Sequence, residues 1–291
     1  MPGTFSDSWK LTKTAFGLIR QDKALLVFPF IAGLAILGVL AVFILGALFV
    51  SPIGFFGGGS PDYQVLIVLM FLAVYFLCSF ISIYATAALV GAATMKLNGQ
   101  QPTASDGWRV ARGKIGKLLV WSLITATVGL VIQAVSRRLG GIGGLLVAGA
   151  AGASWSVLTY FVIPVLIFEN ERAWASMKRS GQIFVTTFGR SIVSNIVVGL
   201  IIGAGIFAAF ILGIVGIVYA FGGHSALGVV LVGAAVAVGT IFLLIGSAAE
   251  GILRAALYRY ATTGKIDPDL LPNAYQTSMP AAAPVPGAPL P

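Results

Sequence analysis

The segment TASDGWRVAR, residues 103–112, sets Trp108 beside Arg109 and Arg112, and TFSDSWKLTK, residues 4–13, sets Trp9 beside Lys10 and Lys13. Both follow the pattern T-x-S-D-x-W-[KR]-apolar-x-[KR]. An indole flanked by two cations suits the edge of a lipid layer: the ring lies half-buried among headgroups while the cations reach their phosphates. Thr4 with Asp7, and Thr103 with Asp106, have the spacing of a capping box, in which a hydroxyl accepts a free backbone N–H and a carboxylate reaches back. Each phrase therefore starts a helix. Continued at 100° per residue, Trp9, Phe16 and Ile19 fall within about 80° of one another, as do Trp108, Ile115 and Leu118. A third, weaker copy is ENERAWASMKRSGQIF, residues 169–184, which keeps Trp174, Lys178 and Phe184 and offers Asn170 as a cap. The candidate lipid-interface residues are Trp9, Lys10, Lys13, Arg20, Trp108, Arg109, Arg112, Trp174, Lys178 and Arg179. Glu169, Glu250 and Arg254 form a second candidate set, a polar cluster at the membrane edge, with Glu250 and Arg254 spaced for an i,i+4 ion pair.

Other reactive groupings fail on spacing. DGWRVAR comes near the D-G-x-x-A-R opening of the CDP-alcohol phosphotransferases but has one residue too many, and no later Asp stands where a metal-held diphosphate needs it. Ser154 falls within an apolar run and the one histidine, His224, in a loop, so a nucleophile–base pair in hydrogen-bond reach is not expected. There is no HExxH, no P-loop and no Cys/His ligand set, and Cys78 is the single cysteine. The expectation is a protein that is not an enzyme and takes no metal and no cofactor.

The elements that hold these residues are apolar and long. Of 291 residues, 58% are apolar and 9% charged, against about 25% charged in soluble domains. Six runs, Ala24–Val50, Gln64–Met95, Lys117–Ser136, Leu145–Phe168, Ser191–Phe221 and Ala226–Ala249, reach the roughly 20 residues that span a bilayer. Every base except Arg137 and Arg138 lies before the first run, between the second and third or at the first residue of the third (Lys117), between the fourth and fifth, or after the sixth. The positive-inside rule then puts both termini in the cytosol, and it accounts for the net charge of +9 without nucleic acid. The first run is too long for a cleavable signal sequence and reads as an anchor. The expected fold is an all-α polytopic bundle of six spans, residues 1–275, with basic amphipathic helices before spans 1, 3 and 5. The Pro/Ala-rich tail at 276–291 is expected to be disordered. Pro164 is expected to kink the fourth span. Small residues four apart (Gly140, Gly144, Ala148 and Gly152; Gly199 and Gly203; Gly205 and Ala209) are expected to pack helix on helix.

SWKLTKTAFGLIRQDKALLVFP, YFVIPVLIFENERAWASMKRS and GILRAALYRYATTG resemble an uncharacterised prokaryotic family of six-span membrane proteins, a domain of unknown function. Pro164, Glu169, Ala175, Lys178, Arg179 and Ser180 are also loosely similar to the membrane domain of some glycerophosphodiester phosphodiesterases. The resemblance implies a six-helix protein of a prokaryotic plasma membrane and brings no activity with it. The expected partners are membrane lipids, anionic ones in particular, with a second copy or another membrane protein also open. The function expected is non-enzymatic action through lipid headgroups or partner proteins at the cytosolic face. The alternative is a small-solute transporter or channel with a polar path along Gln133, Asn195 or Tyr160.

Overall fold

The computed structural model describes residues 23–50, 61–185 and 193–263, and every regular element among them is helical. A 3-10 turn, Lys23–Leu26, leads into α1 (Val27–Val50), followed by α2 (Pro61–Leu97), α3 (Ala104–Arg112), α4 (Ile115–Leu139), α5 (Gly141–Thr159), α6 (Val162–Phe168), α7 (Ala173–Ile183), α8 (Val193–Phe221) and α9 (Ser225–Thr263). Six helices are long and apolar enough to cross a membrane: Ala24–Gly46, Gln64–Leu97, Ile115–Leu139, Gly141–Phe168, Gly203–Phe221 and Ser225–Thr263. These fall on the six apolar runs. The phrase at 4–13, Arg20, and the tail at 276–291 lie outside the described residues.

Helices α1, α3 to α7 and most of α2 form one compact unit; the 3-10 turn, the end of α2, α8 and α9 belong to another. In the first of these, burial follows the bases. Phe28 and Ala32 near the start of α1 are buried, whereas Leu37, Val42 and Ile44 farther along are exposed. Helix α2 exposes Val65, Leu69 and Phe71 and buries Ala85 and Ala87 to Ala92 near Lys96. Helix α4 buries Leu118 and Trp121 beside Lys114 and Lys117, and exposes Val131, Val135 and Leu139.

The fourth span is broken. Tyr160 and Phe161 separate α5 from α6, and Pro164 is the third residue of α6. Proline has no N–H to give the carbonyl four residues back, here that of Tyr160, so the ladder must part at this point. Beside this break the Phe161 N–H donates to the buried Ser180 Oγ of α7 at 2.9 Å. A serine on a neighbouring helix that accepts a backbone N–H at a helix break is how such breaks persist in apolar surroundings. Every residue from Val162 to Ile167 is buried.

In the other unit, α8 and α9 form an antiparallel hairpin whose facing residues run in inverse order. Gly228 meets Ala220, Gly216 meets Val232, Gly213 meets Ala235, Gly239 meets Ala209, and Gly205 meets the Phe242 ring. The expected packing role of Gly205 and Ala209 is found here, where small residues let the two backbones close up. Gly203, by contrast, has no atom near its Cβ direction, nor has Gly152 of α5; Gly144 meets the Ser136 carbonyl. The turn is tight because Gly223 takes φ +90°, a region glycine enters without steric cost. At the far end of α9, the Arg259 guanidinium donates to the carbonyl of Leu97, capping one of the last carbonyls of α2.

Candidate functional site

Helix α3 begins as its sequence requires. Thr103 is the N-cap in extended conformation and forms a capping box with Asp106. The Asp106 carboxylate accepts the Thr103 backbone N–H at 2.9 Å and the Thr103 hydroxyl at 2.6 Å, and Arg109 pairs with it at 2.7 Å. The hydroxyl and backbone N–H of Thr103, with Arg109 adding to them, hold the Asp106 carboxyl below its usual range. A lowered carboxylate pKa stabilises the folded helix at neutral pH, and that contribution disappears as pH falls through the depressed value. Amide exchange across residues 103–112, corrected for intrinsic rates, should therefore accelerate as pH drops below the ordinary carboxylate range. Asp106→Asn should be faster at neutral pH and lack this acceleration; the same pH profile in both proteins would contradict the capping account.

The helix ends sooner than the repeated phrase implies. Gly113 is its C-cap, and Lys114 turns the chain at φ −121°, ψ 14° before α4 begins. The expected stripe of Trp108, Ile115 and Leu118 is thus split between two helices: Leu118 is buried while Ile115 is exposed. The buried face of α3 is instead Gly107 and Ala111. A Cβ on Gly107 would fall 2.6 Å from the Ala88 carbonyl oxygen and from the Phe28 ring, so only glycine lets α3 sit this close to α1 and α2.

That close approach places Trp108 between two rings. Its indole lies 5.4 Å from Tyr84, stacked at 29°, and 5.3 Å from Phe28 at 55°; Phe80 stacks on Tyr84 at 5.7 Å. Beside this ladder runs a groove of about 800 Å³. Ile31, Ala32 and Ala35 of α1 and Phe80, Ile81, Tyr84 and Ala85 of α2 supply its apolar lining. Ser105, Trp108, Arg109 and Arg112 of α3 line the rest. These four share an arc of about 100° on the helix at 100° per residue. Arg112 has no carboxylate partner among the described residues. The site can therefore hold something apolar along α1 and α2 and something anionic at α3.

The third phrase is placed differently. Helix α7 buries Ala173, Ser176, Ser180 and Ile183, while Trp174 and Lys178 are exposed. Its N-cap is Arg172, not the expected Asn170. Asn170 takes φ 57°, and its side-chain oxygen accepts from Lys114 at 2.7 Å and Lys117 at 2.8 Å. Neither lysine's tie to Asn170 is visible in sequence, where 56 and 53 positions separate the partners. Arg179 pairs with Glu169 at 3.0 Å rather than standing free with Lys178. Glu250 pairs with Arg254 as its spacing predicts. The three residues of the expected edge cluster thus have local partners, Glu169 in one unit and Glu250 with Arg254 in the other. Of the residues named for a solute path, Gln133 is exposed and Tyr160 stands at the α5–α6 break; the groove is lined by neither.

These features define the class: an all-helical protein with six membrane-span-like helices and a basic, aromatic helix docked on two of them. The chain belongs to a family of unknown function (DUF6159), whose model matches residues 63–267. No curated protein and no solved structure matches it.

Proposed function

We propose that this is a non-enzymatic, multi-pass protein of a prokaryotic plasma membrane, with both termini in the cytosol, acting through anionic lipid headgroups at its cytosolic face. The observation that carries this reading is the seating of Trp108 between Tyr84 and Phe28 with Arg109 and Arg112 beside it on the groove. A fixed indole with adjacent guanidinium groups matches the headgroup layer, where each base near an anionic surface contributes about 1 kcal/mol. The exposed apolar surface of α1, α2 and α4 supports the membrane setting, since faces of that extent need an apolar solvent. The sidedness rests on the distribution of bases along the chain.

The test replaces Lys10, Lys13, Arg109 and Arg112 together with glutamine in the full chain. Phosphatidylglycerol that co-purifies should fall severalfold, with reporter fusions at the loops still showing the same topology. Unchanged phosphatidylglycerol with unchanged topology would overturn the headgroup reading. A C-terminal reporter active outside the cell would overturn the orientation.

A further inference from the structure

We infer that the groove between α1, α2 and α3 is a single-lipid site, holding one acyl chain of an anionic phospholipid whose phosphate is bound by Arg109 and Arg112. The inference rests on the headgroup reading and narrows it from a charged surface to one built site.

Three observations converge on an anionic amphiphile. The first is size: about 800 Å³ falls within the roughly 300–1,000 Å³ typical of small-molecule sites, and a charged patch that only attracts headgroups needs no such volume. The second is how the lining is divided. Ile31, Ala35 and Ile81 offer an acyl chain hydrocarbon contact, whereas the two arginines offer planar donors suited to phosphate oxygens. Among the described residues no carboxylate lines the groove and Arg112 is without an acidic partner. Arg109 gives one guanidinium nitrogen to Asp106 at 2.7 Å, so an anion is met by Arg112 and by the remaining donors of Arg109. The third is continuity. The α1 and α2 walls belong to helices of membrane-span length and composition, and the apolar surface of α1 continues past the groove through exposed Leu34 and Leu37. An acyl chain can therefore lie along protein on one side and along its lipid neighbours on the other. Free phosphate would use only the arginines and leave the hydrocarbon lining unoccupied.

The test uses the full chain in nanodiscs of phosphatidylcholine with a minor fraction of phosphatidylglycerol, then native mass spectrometry after transfer to detergent. The wild type should retain one phosphatidylglycerol per chain. Ala35→Phe, which fills the groove from α1, should lower that occupancy at least about tenfold, equivalent to about 1.4 kcal/mol. Ile31→Trp narrows the same groove from a position that is 41% exposed and serves if Ala35→Phe fails to fold. Arg109→Gln with Arg112→Gln should abolish the preference for phosphatidylglycerol over phosphatidylcholine. Inorganic phosphate added at high concentration should displace no lipid.

If both groove-filling variants keep the bound lipid while the arginine variant loses its preference, the acyl-chain site is wrong and the headgroup reading stands. If the arginine variant keeps its preference, the arginines do not hold the phosphate and the inference falls. Displacement by inorganic phosphate would also overturn it, identifying the arginines as a plain anion site.

Discussion

Replacing Arg179 with methionine is expected to destabilise the protein by about 3 kcal/mol, the low end of the range for removing one partner of a buried ion pair. Glu169 and Arg179 meet at 3.0 Å with side chains only 7% and 17% exposed. A carboxylate at that depth keeps its desolvation cost and loses the guanidinium that offset it. The converse change, Glu169→Leu, should cost less, because the long arginine side chain can swing its head toward solvent. Combining the two should recover most of the loss, since an apolar pair requires no compensation. Unfolding of each variant in mixed micelles would give the three energies. A loss under about 0.5 kcal/mol for Arg179→Met, the size of an ordinary surface change, would show that the pair does not hold α7 to the end of α6.

The second large effect is expected at Gly228. A Cβ there would fall 2.5 Å from the backbone N, the Cα and the Cβ of Ala220, and backbone cannot rotate away as a side chain can. Gly228→Ala should therefore push α8 and α9 apart and cost about 1–3 kcal/mol, as overpacking does elsewhere. Gly233 of the same helix has nothing within 4 Å of its Cβ direction. Gly233→Ala should be neutral or stabilising by about 0.5–1 kcal/mol, because alanine loses less backbone freedom in a helix. Equal effects at the two positions would mean that the hairpin register described for α8 and α9 is incorrect.

The six long helices were legible because their signal is local: uninterrupted apolar length survives any tertiary arrangement. The start of α3 was legible for the same reason, since Thr103 and Asp106 lie three apart and their hydrogen bonds close within one turn. Glu250 and Arg254 likewise follow from helix pitch alone. The parting of α5 and α6 was foreshadowed by Pro164, whose effect falls four residues upstream. What sequence periodicity missed is tertiary. The wheel of Trp108, Ile115 and Leu118 assumed one continuous helix, and the chain turns at Gly113 and Lys114 instead. Asn170 looked like a helix cap because Asn often caps, but it lies two residues before the N-cap and is held by lysines from a distant segment. Arg179 read as a headgroup cation because its neighbours are basic; its partner lies ten residues back, across a turn that no helical spacing rule covers. The groove itself depends on Gly107 admitting α3 against Ala88 and Phe28, a contact between three helices that no linear pattern announces.

Helix α9 has 39 residues without a proline or a break, about 58 Å at 1.5 Å per residue. A hydrocarbon layer is about 30 Å thick, so such a helix crossing one has nearly as much length outside as within. Much of the surplus is the closely packed stretch from Gly246 to Ala261. It forms a stiff shaft with no joint of the kind that divides α5 from α6. A displacement at its last turn would therefore be carried along the axis toward the apolar, span-like part of the same helix, with no hinge between the two to absorb it.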